Sequence, residues 1–239
     1  MKYKVLLFDS WGTLVDNYSI AEVLEPYIGE SNLSNAISRD WRFQQKWAMF
    51  YVTLCERFVP HPGLTEAALR WALDLHHVKL SEKAIKDVMS QYHKLHAYPD
   101  VPRALRKLKS LGLKLKIVAN PTKQMLLDHT EYAGIQQYFD DIISSGEEAK
   151  AFKPSPKVFN LGARKAGCKK SEILWVTGHF WEIAGADTAG LDTAWTNRAR
   201  QPVLPIGVTP TYTVPNLAAL ANTLAREQRE KSKKRSKKR

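Results

Sequence analysis

Asp9 is the residue of this sequence best placed for covalent chemistry. It closes the apolar run Val5-Leu6-Leu7-Phe8 and opens Ser10-Trp11-Gly12-Thr13-Leu14. A strand ending in Asp-x-x-Gly-Thr sets a carboxylate at the C-terminal edge of a sheet, where open α/β sheets hold their ligands. An aspartate there can attack carbon or phosphorus and form a covalent intermediate. Phosphoryl transfer at such a site calls for a second acid at position 11 to help hold magnesium. Trp11 offers no oxygen for that, so the motif points to metal-free attack on carbon.

The elements that must position Asp9 follow from the hydrophobic pattern. Residues 2–8 read as a strand buried on both faces. From about residue 19 to 96 the pattern is helical. Trp41, Trp47, Phe50, Tyr51 and Leu54 recur at helical spacing in 38–58, and helices 65–76 and 81–93 each open on a capping Thr or Ser. No strand candidate interrupts them, so 17–96 reads as an inserted helical cap. Strand and helix then alternate: helix 101–111, strand 113–118, helix 123–133, strand 139–143, helix 156–166, strand 173–176, helix 183–189, strand 193–195, edge strand 212–214 and helix 217–226. Alternation of this kind predicts an α/β fold, a doubly wound, Rossmann-like parallel sheet with right-handed crossovers, built from 1–16 and 97–226.

Composition narrows the class further. The 239 residues, 44% hydrophobic and 10% aromatic, suffice for one domain with an insert and exclude wholesale disorder. No apolar stretch approaches a membrane span, and the apolar run at the N-terminus is too short for a secretory signal. Two cysteines form no framework, so a cytoplasmic, reducing setting is expected. The net charge of +12 is concentrated: nine Lys or Arg and two Glu lie in 226–239, leaving +5 for the rest. With no apolar residue to bury, 227–239 is expected to be a disordered basic tail. Nucleic-acid contact, if any, is confined to that tail, because the rest carries no basic stripe interleaved with aromatics.

The sequence resembles the haloacid dehalogenase superfamily over nearly its whole length, and within it the L-2-haloacid dehalogenases. The residues carrying the likeness are Phe8-Asp9-Ser10-Trp11-Gly12-Thr13-Leu14, Asp40-Trp41-Arg42, Tyr98-Pro99-Asp100, Ala119-Asn120 and Phe152-Lys153-Pro154-Ser155-Pro156. The resemblance implies a core of that superfamily's type with a helical cap. It also implies a cofactor-free hydrolysis of short 2-haloacids, in which Asp9 displaces halide from C2 and water then cleaves the ester. Lys153 and the Thr13 hydroxyl would keep Asp9 ionised in a dry pocket, since burial alone raises a carboxyl pKa. Arg42 would receive the departing halide. Asn120 would donate to halide or carboxylate, Trp11 would wall the pocket, and Ser10 and Ala119 would belong to the substrate site. Family members are often dimeric, which makes a homodimer a further expectation.

Some positions depart from the family pattern. Ala119 stands in place of a serine that holds the substrate carboxylate, Pro121 in place of a glycine, Phe159 in place of a tyrosine, and His179 in place of an asparagine. Thr177 occupies the position of the phosphatases' metal aspartate. Glu182 replaces the aspartate that activates water, one methylene longer, and can still act as a general base. Two alternatives stay open on sequence alone. One is a magnesium-dependent phosphatase of the same superfamily, disfavoured by Trp11 and Thr177. The other is a non-catalytic binding protein that uses its basic tail.

Overall fold

The computed structural model describes residues 2–17 and 19–236. Six strands form one parallel sheet in the order β3-β2-β1-β4-β5-β6. They are β1 (Val5–Phe8), β2 (Lys114–Ala119), β3 (Asp141–Ser144), β4 (Ile173–Thr177), β5 (Asp192–Thr196) and β6 (Tyr212–Val214). β1 pairs with β2 on one side and β4 on the other, in register from Val5 to Phe8. The order reverses at β1, so a crevice opens beyond its C-terminal end, where Asp9 sits.

Side chains alternate across this sheet and build a core on each face. On one face Leu6, Phe8, Leu115, Ile117, Leu174 and Val176 pack with helices α5 (Val101–Ser110) and α10 (Leu217–Ser236). On the other, Leu7, Val118, Ile143 and Trp175 meet α8 (Pro156–Ala166) and α9 (Phe180–Thr188). α6 (Lys123–Tyr132) and the short α7 (Ser145–Ala149) complete the core. Capping is local: the hydroxyls of Thr122 and Ser155 accept from the first-turn amides of α6 and α8.

Four helices lie between β1 and α5: α1 (Ile20–Ile28), α2 (Ser31–Leu54), α3 (His61–Leu75) and α4 (Glu82–Gln91). α2 and α3 hold each other through Trp41, whose indole Nε1 donates to the Thr65 carbonyl at 2.7 Å. The Trp41 ring meets Tyr92 edge-on, and Tyr92 stacks on Trp11 with ring centres 4.7 Å apart. A chain of rings therefore joins the inserted helices to the loop after β1.

Several boundaries move from their sequence expectation, most of all at α2 and the final helix. α2 starts at Ser31 rather than 38: Leu33 and Ile37 continue the four-residue apolar spacing of Trp41 back through turns that otherwise carry Ser31, Asn32, Ser34 and Asn35. The final helix corrects the expected disordered tail: α10 runs to Ser236 instead of ending at 226. Glu227 and Glu230 each precede a lysine by four residues, the favourable order on a helix, and Glu227 also accepts from the Tyr212 hydroxyl at 3.1 Å. The rest of the expected tail, 237–239, lies outside the described residues.

Candidate active site

The loop after β1 is pinned by the loop after β4. The Asp9 amide donates to the Val176 carbonyl at 3.0 Å. Gly12 adopts φ +79°, and a side chain at Gly178 would meet the Gly12 carbonyl oxygen at 2.4 Å, so the two loops touch where both lack a Cβ. The Gly178 amide donates to Thr13 Oγ1 at 2.8 Å, and that hydroxyl donates to Asp9 Oδ2 at 2.6 Å. Lys153, delivered by the segment before α8, reaches Asp9 Oδ1 at 2.5 Å and lies 2.9 Å from Glu182 Oε1. Glu182 enters from the first turn of α9, with Oε2 accepting from the Trp175 indole at 3.2 Å.

Burial and charge oppose each other at these groups. Burial raises the Asp9 pKa, but Lys153 and His179 outweigh it and hold the carboxyl below its ordinary value. Burial likewise works against the Lys153 ammonium, and Asp9 and Glu182 together keep its pKa raised. Glu182 goes the other way: burial, then the nearby Asp9 charge, push it up to about 8. His179 is lowered chiefly by burial, against the raising effect of the Asp9 charge. Its Nε2 faces the Trp11 carbonyl at 2.8 Å, which can only accept, so Nε2 carries the ring proton.

Asp9 and Glu182 open onto a small cavity of about 30 Å³ walled by Trp11, Arg42, Met49, His61, Asn120 and Trp181, among others. Arg42 lies 5.1 Å from the Trp11 ring centre and donates through Nη1 to Gln45, while its buried Nε has no partner. Asn120 is oriented: its Oδ1 accepts from Ser145 Oγ at 2.9 Å and from the Lys153 amide at 3.1 Å. Its NH₂ is thereby turned to the cavity side, with Met49 Sδ at 3.4 Å.

The structure thus gathers Asp9, Thr13, Lys153, Glu182, Arg42, Trp11, Asn120 and His179 at one place. Three expected substrate-site residues do not line the cavity. Ser10 Oγ turns to His129 Nε2 at 2.7 Å. Ala119, the last residue of β2, is fully buried in the core. The Thr177 hydroxyl accepts from the His179 amide at 3.1 Å, fixing the loop instead of facing substrate. Sequence reasoning missed Lys46, Met49, His61 and Trp181. The first two fall four and seven residues after Arg42, the helical spacing that could have found them. His61 and Trp181 carry no such signal, since the packing of α3 and α9 over the site brings them in.

Asp9, His179 and Glu182 present ligand atoms within 4.8 Å of one another. This set does not fit magnesium. The Lys153 ammonium already occupies the space between the two carboxylates, and magnesium prefers oxygen ligands over imidazole.

An ionised carboxylate thus lies at the switch point of a parallel sheet, beneath four inserted helices, in an arrangement suited to hydrolytic chemistry. The haloacid dehalogenase-like hydrolase family matches residues 3–190, and the chain belongs to that family. It is 31% identical over 220 residues to an (S)-2-haloacid dehalogenase of Pseudomonas putida, covering 92% of this chain and 95% of that protein. Haloacetate dehalogenase H-2 of Moraxella sp. (strain B) is 28% identical over 225 residues, 94% of this chain and 99% of the other. A crystal structure of an L-2-haloacid dehalogenase superposes with a TM-score of 0.89 at 29% identity, covering 94% of this chain and all of that one. Among the described residues no helix is long and apolar enough to cross a membrane.

Proposed function

We propose that the protein hydrolyses the carbon–halogen bond of short L-2-haloalkanoic acids, giving 2-hydroxy acids through an ester on Asp9. The observation that carries this reading is the state of Asp9. It is ionised by Lys153 and Thr13, and faces a small cavity that offers a guanidinium and an amide opposite it. The activities named for the relatives supply the substrate class.

In the first step an Asp9 carboxylate oxygen attacks C2, a C–O bond forms, and the C–X bond breaks with its electron pair leaving as halide. Arg42 and the Asn120 NH₂ receive that charge. In the second step water attacks the Asp9 ester carbonyl, giving its proton to Glu182. The tetrahedral intermediate then expels the alkoxide, which takes the proton back from Glu182 and leaves as the hydroxy acid; the carboxyl left on Asp9 passes its remaining proton to Glu182, restoring the Asp9 carboxylate and the protonated Glu182. Burial and the Asp9 charge keep Glu182 protonated before attack; esterification removes that charge and leaves Lys153 without its main counterion. The Glu182 pKa then falls, so the base becomes available only once there is an ester to hydrolyse.

Helices α1–α4 serve in this reading as a cap domain over the core. A cytoplasmic setting and a homodimer accompany it, supported by two free cysteines and by the exposed row Phe43, Trp47, Tyr51 and Leu54 on α2. The test is halide release from each enantiomer of 2-chloropropionate in EDTA, with the Asp9→Asn protein as control. Release from the L enantiomer, absent in the variant, is expected. No release from either enantiomer, or release that requires added magnesium, overturns the reading.

A further inference from the structure

Lys46 lines the same cavity, and nothing described so far uses it. Residues 42, 46 and 49 fall four and seven apart on α2, so Arg42, Lys46 and Met49 share one helix face and look across the cleft at Asp9. Among the described residues Lys46 makes no hydrogen bond and no ion pair. Burial lowers its pKa first, and the Arg42 charge lowers it further. Two like charges one helical turn apart on a half-buried face are unfavourable unless an anion comes between them. The two carboxylates of the cavity do not serve, because both already lie on Lys153.

Charge balance in the reaction shows what would. The substrate brings one carboxylate, and attack by Asp9 creates a second anion, the halide, on the far side of C2. Once Asp9 is an ester, the cavity holds two anions and two otherwise uncompensated cations. Arg42 and Asn120 account for one anion. The other lacks a side-chain hydroxyl to hold it, since Ala119 has none and Ser10 Oγ is turned to His129. We propose that Lys46 is the anchor for the substrate's carboxylate and selects small anionic substrates over neutral ones of the same shape. The assignment rests on the dehalogenase reading for its place in the reaction, although binding of a carboxylate at Lys46 stands apart from turnover.

That independence shapes the test. Propionate has the substrate's carboxylate and no leaving group, so calorimetry reads its binding without reaction; propionamide is its neutral counterpart. Lys46→Met should weaken propionate binding about ten-fold, equivalent to ~1.4 kcal/mol, while Lys46→Arg restores it and propionamide shows no dependence on position 46. With 2-chloropropionate, Lys46→Met should raise KM by a similar factor and leave kcat within about two-fold. Equal propionate affinity in wild type and Lys46→Met, or no saturable binding to wild type, overturns the assignment. Propionate binding that depends on Lys46, with no halide released from 2-chloropropionate, instead removes the dehalogenase reading and leaves the anchor standing.

Discussion

Asp9 and Glu182 share one ammonium, and that sharing sets the order of events. Lys153 Nζ sits 2.5 Å from one carboxylate and 2.9 Å from the other, all three nearly inaccessible to water. Three buried groups with one positive charge favour one negative charge, and the raised Glu182 pKa places it on Asp9. Glu182→Gln keeps the shape and the hydrogen bond from Trp175 but removes the base. Expected is normal attack and a stalled ester, seen by intact-protein mass spectrometry as accumulation of a 1-carboxyethyl ester adduct after mixing with L-2-chloropropionate. A variant that turns over at the wild-type rate without adduct would remove Glu182 from the hydrolytic step. At this scale the sequence was informative where a residue type is demanded by chemistry. Asp9, Thr13 and Lys153 meet as expected, whereas Ser10 does not, because His129, more than a hundred residues away, takes its hydroxyl, and Ala119 does not, because it ends β2 inside the core.

Helix α2 divides two tasks between consecutive residues. Trp41 faces inward, fully buried, holding α3 through the Thr65 carbonyl and Tyr92 through its ring edge. Arg42, about a hundred degrees round the helix, faces the cavity and Trp11. Their variants should therefore separate. Trp41→Ala should cost about 3–5 kcal/mol of stability, the range for deleting a buried tryptophan. Arg42→Ala should depress the halide-releasing step at least about a hundred-fold, the scale of losing a donor to developing charge, and shift the melting temperature by only a few degrees. Pre-steady-state halide release beside thermal melting checks both, and a large melting shift in Arg42→Ala would make that arginine structural. α8, with a strong apolar period and Ser155 at its cap, falls where the sequence put it, as does the short edge strand β6. α7 was missed, since its five residues Ser145–Ala149 leave no room for a period. The start of α2 was missed because Ser31, Asn32, Ser34 and Asn35 surround the two apolar residues, Leu33 and Ile37, that carry its period there.

The whole molecule is organised around one strand order. β1 at the sheet's switch point presents Asp9, β4 and α9 bring Glu182 and His179, and the segment before α8 brings Lys153. Asp100, from the Tyr-Pro-Asp turn at the return to the core, pairs with Arg198 at 2.7 Å and accepts from the first amide of α10 at 2.9 Å. It locks the returning chain to the far edge of the sheet. The alternation of strands and helices made this architecture readable, but the length of α10 was not, because its basic end has helical charge spacing without an apolar face. Concentrating buried charge at one edge leaves a mark on global stability. Asp9, lowered in the fold, contributes stability that is present above its unfolded pKa and lost as pH falls through its folded value. Glu182 contributes with the opposite sign: raised to about 8 against an unfolded value near ~4.3, it destabilises the fold increasingly as pH rises between those values. The melting temperature of Glu182→Gln relative to wild type should accordingly be higher at pH 8 than at pH 5. A difference that is flat or falls with pH would contradict the assigned shift.

The central claim is that an Asp9 oxygen, not water, bonds to C2. A single turnover of L-2-chloropropionate with excess enzyme in ¹⁸O-water separates the two. Attack by Asp9 sends one of its own ¹⁶O atoms out in the lactate hydroxyl and leaves ¹⁸O in the Asp9 side chain, detectable in the peptide that carries it. Lactate carrying ¹⁸O at C2, with Asp9 unlabelled, would mean that water attacks carbon directly, and would contradict the account at its root.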